Sequence, residues 1–388
     1  MLAKSIANLF RTDVNLYWRR FQTTFNVTNY EYHLLDAAKG VKLDCTISRE
    51  EGLAWYTDMA NIRRAEHSIS HLYQAKMVRG FCHLCTGQEA IAVGIYNCLR
   101  PQDDVITSYR AHGYAYLMGG KNLEPLIAEL IGAKTGFSKG KGGSVHIYTD
   151  RFYGGNGIVG AQIALGTGLA FAHQYKNDNG VTFTIYGDGA ANQGQAYESY
   201  NMAKLWNLPV IYVVENNMYS MGTSVERSSA NPNYFNTCVY IPGILIDGMD
   251  IFAVKNAVEF AIKFASEGNG PIILEMRTYR YFGHSMSDPG STYRTRDEVA
   301  HTRKTRDPML KLRQMLVGAN LTTNEELNDI KKRIAEEQKP IVDKVKTHGP
   351  LGLEHVSADV LKKSLQDNIR GVTILKPFKH QNFPPTKC

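Results

Sequence analysis

The chain has 388 residues, enough for one large α/β domain or two smaller ones with an ample core. Its 43% hydrophobic and 21% charged residues are ordinary for a globular enzyme. The net charge of +7 is modest and spread along the chain, so no basic stripe suggests nucleic acid, and no apolar run approaches the ~20 residues of a membrane span.

Residues 1–25 carry Lys4, Arg11, Arg19 and Arg20 against the single acid Asp13, in an amphipathic pattern without the apolar core of a secretory signal. That composition predicts a mitochondrial transit peptide, cut after Arg20 or Phe21, and residues 26–388 would then form the working chain. Ser48 and Glu51 make a capping box, and helical periodicity follows from Leu53 to Val78. Six cysteines are present, and only Cys82 and Cys85, in "FCHLC", are closely spaced. With no second CxxC to complete a zinc site, they read as reduced thiols, in keeping with the mitochondrial matrix.

Further helices are expected over Gln88–Leu99 and Glu124–Ala133, with a strand in "DDVITSYRAHG" between them. "GFSKGKGGS" lacks P-loop spacing and reads as a loop that either faces phosphate or serves as local ordering. Gly155-Asn-Gly157-Ile-Val-Gly160 matches the dinucleotide fingerprint, but the polar, turn-rich "HIYTDRFYG" precedes it instead of a strand. An apolar helix then runs to about His173.

Val181–Tyr186 is β-branched, aromatic and uncharged, so it predicts a buried strand ending in Gly187-Asp188-Gly189. A helix over Gln193–Trp206 and a second buried strand at Val210–Val214 complete a βαβ unit. A right-handed crossover sets both strand ends on one edge, so Asp188 meets Asn216 and Asn217 where open parallel sheets bind ligands. One carboxylate and one amide oxygen are too few for calcium but suit Mg²⁺ shared with a diphosphate. Downstream, helix Ile251–Ala265 and strand Pro271–Thr278 precede a long polar loop, "FGHSMSDPGSTYRTRDE". Helices at Pro308–Val317 and Thr323–Lys346 give a helical C-terminal region, 305–388, that ends in an irregular tail. Alternating strands and helices give an α/β fold with a mainly parallel sheet flanked by helices.

Together "FCHLCTGQEA", "YRAHG", "KGKGGSVHIY", "FYGGNGIVGAQ", "GDGAANQGQ", "ENNMYSMGTSVER" and "YFGHSMSDPG" closely resemble the alpha subunits of the pyruvate dehydrogenase component of the mitochondrial pyruvate dehydrogenase complex. The resemblance runs from about Cys45 to the C-terminus and implies a thiamine diphosphate-binding fold of the diphosphate type. It implies that Asp188, Asn217 and the Tyr219 carbonyl hold Mg²⁺, and that Tyr109 and Arg110 grip the diphosphate. Gly157, Val159, Gly189 and Ala190 would line the cofactor, and His83 and His284 would face the reacting centre.

The implied activity is oxidative decarboxylation of pyruvate with reductive acetylation of a lipoyl group on the dihydrolipoamide acetyltransferase core, the step linking glycolysis to the citric acid cycle. The glutamate that activates the cofactor's aminopyrimidine has no obvious domain here. A separate beta subunit, in an α₂β₂ heterotetramer, is therefore implied. The resemblance also implies control by a kinase and a phosphatase, with Ser285 and Ser224 as acceptors. Thr292 stands where the resembled family commonly has Ser, so Ser291 is a rival acceptor, and Phe282 stands where the family usually has His. The alternative is a catalytically degenerate paralogue that binds partners or regulators.

Overall fold

The computed structural model describes residues 22–352, 355, 368–369 and 372–373. The N-terminal strands are β1 (Gln22–Asn26), β2 (Glu31–His33) and β3 (Asp44–Ser48), followed by β4 (Asp104–Ile106), β5 (Thr182–Gly187) and β6 (Val210–Asn216). A small hairpin, β7 (Tyr219–Ser220) with β8 (Thr223–Ser224), precedes β9 (Gly243–Asp247) and β10 (Ile272–Arg277). The helices up to the second βαβ strand are α1 (Arg49–Gln74), α2 (Glu89–Cys98), α3 (His112–Met118), α4 (Leu123–Leu130), α5 (Ala161–Lys176), α6 (Asp188–Ala191) and α7 (Gly194–Leu205). After it come α8 (Val225–Ser228), α9 (Ile251–Phe264), α10 (Arg296–Arg306), α11 (Pro308–Gly318) and α12 (Asn324–Lys346).

Six strands form one sheet in the order β2-β9-β10-β6-β5-β4; β2 is antiparallel to β9 and all other pairs are parallel. The central strands are apolar nearly throughout because both faces are covered. Side-chain alternation divides them: Phe183, Ile185, Ile211 and Val213 pack on the side of α1, α2 and α9, while Tyr186, Tyr212 and Val214 pack against Ile163 and Ala170 of α5 and Ala196 and Tyr200 of α7. At the start of α1 both capping-box bonds form, Glu51 N–H to Ser48 Oγ at 3.1 Å and Ser48 N–H to Glu51 Oε2 at 2.8 Å. Such a cap is worth about 1 kcal/mol and fixes where the helix starts.

The expected βαβ unit is present, and Gly187 lies opposite Glu215, so Asp188 and Asn216 leave adjacent strand ends. Several elements go beyond the sequence reading, namely β1, β2, β3, β9, α3 and α10. Strand β1 takes in Gln22 to Phe25, with Phe25 buried, so the last four residues of the stretch read as a leader belong to the fold. Residues 1–21 of that stretch lie outside the described residues, as does most of the tail after Lys346. The unit from Pro350 to Cys388 contains, among its described residues, a short antiparallel pair, Asn368–Ile369 with Val372–Thr373. Among the described residues no helix is long and apolar enough to cross a membrane.

Candidate active site

The carboxyl ends of β5 and β6 open into a cleft of about 290 Å³. Asp188, Asn217, Arg110, Tyr109, Tyr219 and His284 all line it, as do Val159, Gly189 and Ala190. The cleft runs on, through Tyr109, Val159, Met221 and His284, into a second one of about 520 Å³ lined also by Phe81, His83 and Gly157. Every cofactor residue inferred from the sequence thus borders one of two clefts that share Tyr109, Val159, Met221 and His284. A larger cleft of about 720 Å³ lies apart, between residues 34–42 and α9, and gathers no such set of groups.

Asp188 opens α6 and is 2% exposed. Burial pushes its pKa up, while the Ser220 hydroxyl, donating to Oδ2 at 2.6 Å, pulls it down. Asn217 is also buried, and its Oδ1 has no hydrogen-bond partner, although its Nδ2 reaches Gln88 Oε1 at 3.5 Å. An unpartnered buried amide oxygen beside a desolvated carboxylate is a donor pair suited to a cation. Met218, between Asn217 and Tyr219, adopts φ +73°, with its N–H on Asn216 Oδ1 at 3.1 Å, and this left-handed turn carries the chain past Asp188. Among the described residues no cluster of three or more His, Cys, Asp or Glu could hold a metal. The donor set fits Mg²⁺ completed by phosphate oxygens.

Arg110 is 5% exposed, and its guanidinium donates to the Leu84 carbonyl at 2.5 Å and the His284 carbonyl at 3.0 Å. It therefore ties the 82–86 segment to the 281–294 loop while facing the cleft. Rings of His83 and Tyr109 lie 4.3 Å apart, His83 and His284 5.1 Å, and Tyr109 and His284 5.5 Å. Burial, then the charge of Arg110, depresses His83 to about 3 and His284 to about 4. Both imidazoles are neutral near pH 7, each ring offering one hydrogen-bond donor and one acceptor.

That depression has a measurable consequence for the cofactor-free chain. Starting from the ordinary value of 6.5, the unfolded chain takes up these protons first as pH falls. Stability is therefore fully present above about pH 6.5 and is lost on the way down toward the folded values. The unfolding midpoint is expected to fall between pH 7 and pH 5, and His83→Gln should flatten that slope; an unchanged slope would count against a buried neutral His83.

Several residues of the cleft went unnoticed in the sequence. Glu215 is buried against it and raised by burial to about 7, with the Tyr114 hydroxyl on Oε1 at 2.8 Å. Gln162 presents an unpartnered Oε1 to the cleft, and Arg280, which lines neither cleft, is fully buried with unpartnered Nε and Nη1. Arg280 donates to the Met221 carbonyl at 2.6 Å and the Tyr293 hydroxyl at 3.0 Å. Burial beside Arg110 lowers it only to about 10, so it stays charged and makes the region attractive to anions.

The glycine-rich loop proves to be an ordering device. The Glu129 carboxylate takes the backbone N–H groups of Ser138 (2.7 Å), Gly140 (2.9 Å), Gly142 (2.6 Å) and Gly143 (3.3 Å), so these donors are spent inside the fold. Ser144 at its end meets His112 Nε2 at 2.9 Å, and His112 Nδ1 meets Glu66 at 2.6 Å. The GxGxxG match also fails structurally, because only isolated bridges at Phe152 precede it and Gly160 turns at φ +92° into α5. Cys82 and Cys85 are buried and unpaired, with the Cys82 thiol pushed up to about 12 by burial, as inert reduced thiols should be.

The 281–294 loop is tightly tied. Asp288 accepts from the N–H of His284 (2.6 Å), the N–H of Gly290 (2.8 Å) and the Tyr293 hydroxyl (2.5 Å). Arg294 donates to the carbonyls of Arg280 and Phe282. Phe282 packs partly buried against the core through its ring. Ser285 is 6% exposed with Oγ 2.9 Å from Ser287 Oγ, whereas Ser291 and Thr292 are exposed, and Ser224 sits half-buried at the end of the β7–β8 hairpin.

An open, mainly parallel sheet that gathers a carboxylate, an amide, a buried guanidinium and two histidines at its strand ends defines an α/β enzyme subunit. The profile of the family described as dehydrogenase E1 component matches residues 57–354, and the chain belongs to that family. It is 47% identical over 362 residues to a probable pyruvate dehydrogenase E1 component subunit alpha, mitochondrial, of Caenorhabditis elegans, covering 92% of this chain and 90% of that one. It is 51% identical over 319 residues to the mitochondrial alpha subunit of Kluyveromyces lactis (81% and 76% covered). The testis-specific human form is 45% identical over 356 residues, covering 92% and 91%. The family is thiamine diphosphate-dependent.

Proposed function

We infer that this chain serves as the alpha subunit of a mitochondrial pyruvate dehydrogenase component, an oxidoreductase within the pyruvate dehydrogenase complex. The observation that carries the site assignment is the pairing of buried Asp188 with the orphaned Asn217 Oδ1 in one cleft with Arg110. Asp188, Asn217 and the Tyr219 carbonyl hold Mg²⁺; Tyr109 and Arg110 hold the diphosphate; Gly157, Val159, Gly189 and Ala190 line the cofactor. When bound, thiamine diphosphate supplies the carbanion and electron sink that decarboxylation of a 2-oxo acid needs.

This chain's own residues do the rest. Arg110 offers charge-assisted donors to phosphate oxygens. Arg110 and Arg280 set a positive field that favours anionic pyruvate, in a low-dielectric cleft where it acts strongly. His83 and His284, neutral and packed against the Tyr109 ring, can pass a proton or donate to a developing oxyanion.

A separate beta subunit supplies the missing glutamate, giving an α₂β₂ heterotetramer in the matrix, and the lipoyl-bearing acetyltransferase core takes the two-carbon unit. An exposed apolar patch on α5 and α7 supports such a partner: Leu165, Phe171, Tyr175, Leu205 and Trp206 all stand out from the helices covering the second face of the sheet. A kinase and phosphatase act on Ser285, Ser224 and Thr292, with Ser291 as the rival to Thr292. The leader ends ahead of Gln22, where β1 begins.

The test is Mg²⁺- and thiamine diphosphate-dependent CO₂ release from pyruvate with an artificial electron acceptor, using the leader-free chain with and without its partner subunit. Activity confined to the pair is expected. A silent but cofactor-loaded pair would point to the degenerate paralogue.

A further inference from the structure

Ser220 is the residue that the cation site uses and the motifs do not announce. It lines the cleft, and its hydroxyl sits 2.6 Å from Asp188 Oδ2. Its approach is possible only because Gly189 has no side chain: a Cβ there would lie 2.5 Å from Ser220 Oγ and 2.9 Å from its Cβ. Two backbone features hold Ser220 in place. The Met218 turn at φ +73° aims the chain back toward Asp188, and the hairpin pairs Ser220 with Thr223 while Val225 N–H closes on the Met218 carbonyl at 3.1 Å.

We propose that Ser220 is a positioning residue for the cation site, its hydroxyl fixing the Asp188 carboxylate so that the remaining lone pairs face the cation. This rests on the reading of Asp188 and Asn217 as Mg²⁺ ligands. A carboxylate offers about four acceptor sites on two oxygens, and a donor locked onto one of them selects the orientation of the rest. Partners of this kind, behind the direct ligands, typically set metal affinity by about 10–100-fold. Gly189 then has a second task besides letting backbone approach the cofactor, since it makes room for the hydroxyl.

The experiment uses the full chain with its partner subunit and titrates Mn²⁺ in the presence of thiamine diphosphate, following free Mn²⁺ by electron paramagnetic resonance. Ser220→Ala should weaken Mn²⁺ by about 10-fold, while pyruvate KM at saturating metal stays unchanged, and Ser220→Thr should restore most of the affinity. Gly189→Ala should imitate the loss, because its methyl displaces the hydroxyl. In a Ser220→Gly background the same Gly189→Ala change should cost clearly less than it does in the parent, since the colliding atoms are gone. Unchanged or tighter Mn²⁺ binding in Ser220→Ala, or additive losses in the double variant, would overturn the proposal. If the unsubstituted protein bound no Mn²⁺ at all, the assignment of Asp188 and Asn217 would fall first, and this one with it.

Discussion

Asp188→Asn is expected to cost at least about 100-fold in Mg²⁺ affinity, beyond what loss of an outer partner costs, and to leave turnover at the level of background. The substitution is nearly isosteric, and an amide oxygen at 188 can still accept the Ser220 hydroxyl now 2.6 Å from Oδ2. The strand ends that position it, Gly187 opposite Glu215, are untouched. Fold and function should therefore separate. In the metal-free chain the buried carboxylate has its pKa raised by desolvation, so its ionised form is a cost to the fold. An uncharged amide removes that cost, and the metal-free variant should be no less stable than the parent. The parent gains stability with saturating Mg²⁺ and cofactor, about 2.7 kcal/mol at a hundredfold excess over the dissociation constant. The variant should gain almost none. Thermal unfolding with and without Mg²⁺ and thiamine diphosphate checks this beside turnover. A retained Mg²⁺-dependent shift would move the cation away from Asp188.

What could be read in the sequence follows from which elements announce themselves locally. Strands β5 and β6 were legible because runs such as Val210-Ile211-Tyr212-Val213-Val214 are apolar on both faces, and α1 because its capping box and periodicity agree. Strand β9 was not, since Gly243-Ile-Leu-Ile-Asp is short and enclosed by Pro242 and Gly248, which read as turn. Helix α10 buries none of its residues, so no apolar period betrays it, and its Thr295 cap lies inside a polar loop. Asp188 and Asn217 were legible because βαβ handedness alone brings them together. Ser220, Gln162, Glu215 and Glu129 were not, because each acts across contacts that only the folded chain creates. Glu129 shows the difference most plainly. Nothing in α4 marks this carboxylate, yet it accounts for the glycines of "KGKGG" better than a phosphate does, since the N–H groups of Gly140, Gly142 and Gly143 all donate to it.

Ser285→Glu should lower turnover with the lipoyl acceptor by more than about 100-fold, equivalent to roughly 3 kcal/mol, while Ser285→Ala stays near the parent. Ser285 is 6% exposed and borders the cleft of about 520 Å³ beside Asp288. Gly283 and Asp288 pass so closely that a Cβ on Gly283 would lie 2.0 Å from the Asp288 carbonyl oxygen. The loop is held to the 82–86 segment by Met286 N–H to Cys82 O at 2.9 Å and Tyr281 N–H to Thr86 O at 3.1 Å. A carboxylate at 285 would be buried near Asp288, and leaving a charge desolvated costs several kcal/mol, more than the loop's few hydrogen bonds return. The cheaper course is for the loop to open. Opening takes the His284 carbonyl off Arg110, now 3.0 Å away, and breaks the cluster of His83, Tyr109 and His284. A phosphate, with about −1.5 to −2 charges, should do so more completely than glutamate. Trypsin reports the opening independently of turnover, because Arg294, 6% exposed and bonded to the Arg280 carbonyl, becomes a cleavage site only when the loop lets go. Full activity in Ser285→Glu together with unchanged resistance at Arg294 would remove this loop as a switch and leave Ser224 as the remaining proposed acceptor outside it.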